Sequence, residues 1–76
     1  MNNSRRKRIY ASIADLEKAK ANLKQALREE QQALNALPDD DEYDDMRYGM
    51  DEIISGLEDT LSSLEDSLST LDGCNF

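Results

Sequence analysis

Apolar residues in this chain recur every seven positions, in two registers set four apart, on either side of a single proline. Ile9, Leu16, Leu23 and Leu37 share one register, in which Glu30 is the only polar member. Ile13, Leu27 and Leu34 share the register four residues on, with Lys20 as its exception. Beyond Pro38 the same pattern returns as Met50, Leu57, Leu64 and Leu71, with Ile54, Leu61 and Leu68 offset by four. Intervals of three and four place such residues on one face of a helix. Ala19, Ala26 and Ala33 add a flanking row to the first stripe, and Ile53 widens the second. The expectation is two helices, about 4–37 and 46–72, joined by an acidic loop over 38–45.

The breaks in the pattern support these limits. Pro38 biases Leu37 away from helical geometry and ends the first helix. The stretch that follows, Pro-Asp-Asp-Asp-Glu-Tyr-Asp-Asp, is polar and short enough to connect antiparallel helices. Asp44 or Asp45 is placed to cap the second helix, and Gly73 to close it in a left-handed cap. The chain is all-α on this reading, a single helical-hairpin domain over residues 1–76.

Size decides what a hairpin must do next. At 76 residues a chain buries only about 60% of the surface it exposes when unfolded. Two helices alone leave much of each stripe facing water, whereas four can enclose both stripes. The hairpin is therefore expected either to dimerise into a four-helix bundle or to complete itself on another protein, with the homodimer preferred. The core and dimer seam comprises Ile9, Ile13, Leu16, Leu23, Leu27, Leu34, Met50, Ile54, Leu57, Leu61, Leu64, Leu68 and Leu71.

The composition excludes most chemistries. The chain has no histidine and one cysteine, Cys74, so neither an intramolecular disulfide nor a zinc site is expected. No stretch approaches the roughly 20 apolar residues of a membrane span. No cofactor is expected, and no catalytic residue either: paired carboxylates need a pocket to shift their pKa values, and two helices with outward acids offer none. The acidic loop can be aligned with a calcium-binding EF-hand from Asp40. Its sixth position would then be Asp45 instead of glycine, and its twelfth Asp51 instead of glutamate, so the alignment fits poorly.

Charge is the remaining signal. Residues 1–37 hold eight Lys and Arg against four acids, whereas residues 38–76 hold thirteen acids and one Arg. The run Arg5, Arg6, Lys7 and Arg8 resembles a nucleic-acid patch. In an antiparallel hairpin it is better placed to meet the acidic end of helix 2, at Glu65, Asp66 and Asp72, and a net charge of −8 opposes direct nucleic-acid binding. The acids still outnumber the bases available to neutralise them. The surplus comprises Asp39, Asp40, Asp41, Glu42, Asp44 and Asp45 in the loop, and Asp51, Glu52, Glu58, Asp59, Glu65 and Asp66 on helix 2. Such a surplus either maintains solubility or presents a surface to a basic partner, with Tyr43 and Tyr48 as candidate anchors.

The basic start at Arg5-Arg6, the Glu29-Glu30-Gln31 segment, the bend from Asn35 to Pro38 and the second acidic helix resemble small uncharacterised proteins of bacteriophages and prophages. In those proteins Asn directly precedes Leu-Pro; here Ala36 intervenes. The resemblance implies a phage-encoded accessory protein of the host bacterial cytoplasm. Together with the acidic surplus, it leads to the expectation of a non-catalytic inhibitor. Such a protein would present a nucleic-acid-mimicking surface to a host defence protein, the alternative being a self-associating scaffold.

Overall fold

The computed structural model describes residues 3–74, and among these residues the chain is all-α. Helix α1 spans Asn3–Ala36 and α2 spans Asp44–Asp72. They fold back on one another as an antiparallel hairpin measuring 62 × 15 × 13 Å. Neither helix is long and apolar enough to cross a membrane.

The seven-residue registers define the contact between the helices. Every seam residue is at least half-buried, and so are Lys20 and Glu30, the two polar members. Helical period thus placed both polar residues in the seam despite their chemistry. Among the described residues full burial is reached only at Leu68, which is 5% exposed. The flanking rows lie mostly outside the contact: Ala19 is half-buried, but Ala26 and Ala33 are exposed, and Ile53 is 52% exposed. A two-helix thickness cannot close over more than one stripe per helix.

The bend differs from expectation in its caps. Leu37 N–H donates to the Leu34 carbonyl at 3.2 Å, closing the last turn of α1 just before the proline. Asp40 is extended, and its carboxylate accepts from Glu42 N–H at 3.3 Å. It thereby starts a 3-10 turn over Asp41–Tyr43 that runs directly into α2. Asp40 therefore caps this turn, and α2 itself starts after Tyr43 without a side-chain cap. Asp44 and Asp45 lie inside the first turn of α2, where their charge suits the positive helix end. The loop is shorter than expected because the 3-10 turn takes up part of it.

Arg47 pins this arrangement. Its guanidinium donates to the Pro38 carbonyl at 2.7 Å and to the Asp44 carboxylate at 2.8 Å. The one basic residue after Pro38 thus ties the end of α1 to the start of α2 with a planar fork. At the other end, Gly73 does not adopt the expected left-handed cap. Its φ of −83° is right-handed, and its N–H donates to the Ser69 and Thr70 carbonyls. The final turn simply tightens to shorter-range bonds, which any residue permits.

Candidate functional site

At about 100° per residue, the residues of α2 sort into rows of contrasting chemistry around the seam. One flank of the seam carries Asp51, Glu58, Glu65 and Asp72. Further round on the same side stand Glu52, Asp59 and Asp66, and between these two acidic rows run Tyr48, Ser55, Ser62 and Ser69. The opposite flank carries Met46, Ile53, Thr60 and Ser67, backed by Gly49, Gly56, Ser63 and Thr70. That flank holds no charge along its whole length.

In an antiparallel pair, equivalent flanks of the two helices fall on the same side of the hairpin. Glu65 shows which side is which, since its carboxylate lies 3.9 Å from Lys20 Nζ of α1. The acidic flank of α2 therefore adjoins the α1 row of Tyr10, Glu17, Lys24 and Gln31. The uncharged flank adjoins Ser12, Ala19, Ala26 and Ala33. On α2 one flank is charged and the other is not, and the uncharged strip extends onto the alanine row of α1, behind which stand Asp15 and Glu29; the seam residues alone do not reveal this division.

The acidic surplus remains exposed. All thirteen acids of residues 38–76 are exposed. Only Glu65 and Asp44 form ion pairs among the described residues, with Lys20 and Arg47 respectively. Eleven acids thus have no cationic partner among the described residues. The expectation that Arg5, Arg6, Lys7 and Arg8 would meet the acidic end of α2 is revised by the register. With Lys20 across from Glu65, the position across from Arg8 falls at or beyond Cys74, past the last turn of α2. Among the described residues, Arg5, Lys7 and Arg8 form no ion pair.

Along α2, seven acids lie between Asp51 and Asp72, a span of about 32 Å at 1.5 Å per residue. Six intervals separate them, a mean spacing of about 5.3 Å, compared with one phosphate per 3.4 Å along either strand of a DNA duplex and one per 1.7 Å along the duplex as a whole. The ladder is sparser than one such strand and falls well short of the duplex.

The two candidate anchors differ. Tyr48 is 69% exposed and stands at the bend end of the acidic rows, an accessible amphipathic ring. Tyr43 is half-buried at the N-cap of α2. Asp39, Asp40, Asp41, Glu42, Asp44 and Asp45 surround this end, but among the described residues no three acids converge on a point that could hold a metal ion. No pocket opens on the hairpin among those residues. Cys74 is exposed and its thiol donates to the Thr70 carbonyl at 3.2 Å.

Fold and surface together define an all-α helical hairpin whose second helix has an acidic flank and an uncharged one. Comparison of the chain with protein families, with curated proteins and with solved structures returns no match in any of the three.

Proposed function

We propose that the protein is a non-catalytic binding module whose acidic face occupies a basic, nucleic-acid-binding surface of another protein. The observation that carries this reading is the set of eleven exposed carboxylates without a cationic partner among the described residues. Concentrating like charge on one face opposes its own assembly, and a basic partner relieves that repulsion while gaining association rate. The spacing on α2 favours a groove built for single-stranded nucleic acid, and Tyr48 supplies an aromatic anchor at one end of the ladder. The resemblance to phage proteins gives the setting: a host defence protein, inhibited in the bacterial cytoplasm by occlusion of its nucleic-acid site.

The hairpin acts as a homodimer on this proposal, two copies forming a four-helix bundle. The support is the seam, which two helices leave partly exposed and a second hairpin would cover further. A purely scaffolding role is the second reading, favoured by the same seam and indifferent to the acids.

The test uses tagged protein against bacterial lysate in about 50 mM salt, followed by elution with increasing salt. The wild-type chain is expected to retain a nucleic-acid-binding protein that single-stranded DNA displaces. A variant with Glu58→Gln, Asp59→Asn, Glu65→Gln and Asp66→Asn should lose at least about tenfold in affinity, as surface electrostatics require. Capture that ignores both salt and these substitutions refutes the acidic-face reading and favours the scaffold.

A further inference from the structure

The surface of the chain is larger than its mass warrants. A folded monomer of 8.6 kDa is expected to expose about 4,700 Å², yet this hairpin exposes 5748 Å². The excess of about 1,000 Å² is close to the roughly 800 Å² that each partner buries in a stable interface. Much of the large apolar exposure sits on α2, where Met46 is 55% and Ile53 52% exposed.

Two glycines lie on the same side. Gly49 and Gly56 are interior to α2, where glycine is the least favourable residue after proline. Neither has a backbone conformation that requires glycine, and a Cβ on either would meet nothing within 4 Å. The hairpin itself gives no reason for them; a second helix approaching closely on that side does.

Charge decides what that second helix belongs to. A partner copy carries the same net charge of −8, so contact through the charged faces would oppose acids to acids. Contact through the uncharged face sets the patch of Ile53, Gly56 and Thr60 against the same patch of the other copy without repulsion, in the self-complementary arrangement that two-fold symmetry demands. We infer that the uncharged face of α2, centred on Ile53 and Gly56, is the interface with a second copy of this chain. The two acidic ladders then point away from the contact. This inference rests on the dimer proposed above and adds which face forms it.

Light scattering with circular dichroism tests it. The wild-type chain should weigh twice 8.6 kDa at about 100 μM, a range in which a micromolar dimer is well populated. The double variant Ile53→Glu, Thr60→Glu should be monomeric with its helix content retained. Ser55→Glu, Ser62→Glu, which adds the same charge between the acidic rows, should remain dimeric. Should the first variant lose its helix content, Gly49→Ala with Gly56→Ala decides. Methyl groups at a close contact weaken dimerisation about tenfold or more, although alanine raises the helix propensity of each chain. A dimer that survives both sets of changes overturns the assigned face and leaves the dimer standing. A monomeric wild-type chain overturns both and leaves this face to a different protein.

Discussion

Leu68 offers the sharpest test of the hairpin itself, because no other described residue is fully buried. Leu68→Ala removes three carbons from a site 5% exposed, a loss of about 2.4 kcal/mol at roughly 0.8 kcal/mol per methylene. A cavity penalty can add to this, but in a body 13–15 Å thick the walls can collapse or admit water. The cost should therefore lie near the lower end of the usual range, about 2–3 kcal/mol. Against a total of about 4–11 kcal/mol for a chain of 76 residues, this is a large fraction. Leu57, Leu61 and Leu64 keep more exposure than Leu68, so their alanine variants should each cost somewhat less, about 1.5–2 kcal/mol in dilute solution. Urea unfolding followed by helix content would measure all four at micromolar concentration. If Leu68→Ala proved no more costly than Leu61→Ala, the register of the hairpin would be wrong. Repeating the series at higher protein concentration adds a second reading. Leu57 and Leu64 lie on the seam row nearer the uncharged face and should become costlier as a dimer covers them, whereas Leu61, nearer the charged face, should change less.

Other expectations follow from single interactions. Lys20→Leu replaces a long ion pair of 3.9 Å, worth at most about 1 kcal/mol, with an apolar side chain in an apolar row. The variant should be about 0.5–1.5 kcal/mol more stable by urea unfolding, and a loss of stability would show that the pair contributes more than its geometry suggests. Arg47→Ala removes both bonds at the bend and should cost about 1–2 kcal/mol. Arg47→Lys should recover only part of this, since an ammonium lacks the fork that spans Pro38 and Asp44; full rescue would reduce the clamp to simple charge. Neutralising Glu58, Asp59, Glu65 and Asp66 should leave the fold intact, with thermal stability unchanged or slightly raised as repulsion along α2 falls. A collapse of helix content would instead make those acids structural.

The residues that period alone governs were legible in the sequence, and those governed by the bend and the ends were not. A helix turns by a fixed angle per residue, so the seam could be read from spacing, and the structure places even Lys20 and Glu30 where spacing put them. The caps depend on how a few loop residues satisfy backbone groups. Six acids clustered there left the sequence with several equivalent capping candidates, of which Asp40 is the one used. Arg47 carried a signal that was missed: a lone base among thirteen acids is conspicuous, and a guanidinium can reach across a turn. The opening basic run was assigned a role through helix order alone. Residue-level register places it elsewhere: with Lys20 across from Glu65, the last residue of α2, Asp72, comes across from Ile13, and the basic run stands beyond that turn.

The two faces of α2 explain each other. An acidic helix that had to dimerise through an acidic surface would pay the repulsion in full, and a helix acidic all round could not dimerise without a basic companion. Confining the acids to one side of the seam removes that conflict, because the far flank is left to serine, threonine, glycine and two exposed apolar side chains. Glycine then becomes intelligible at positions where an isolated hairpin would be better served by alanine. The same arrangement constrains the proposed binding function. If dimerisation uses the uncharged flank, each dimer carries two acidic ladders facing outward, and neither can be neutralised by the other copy. A basic partner would meet the ladders as preformed surfaces whose repulsion was already accepted on folding. Removing one flank's chemistry should leave the other's function measurable, so variants of Ile53 and Thr60 should lose the dimer and still bind the partner, with lower avidity. If those variants lost all binding, the site would span both copies and the ladder of a single hairpin would be insufficient.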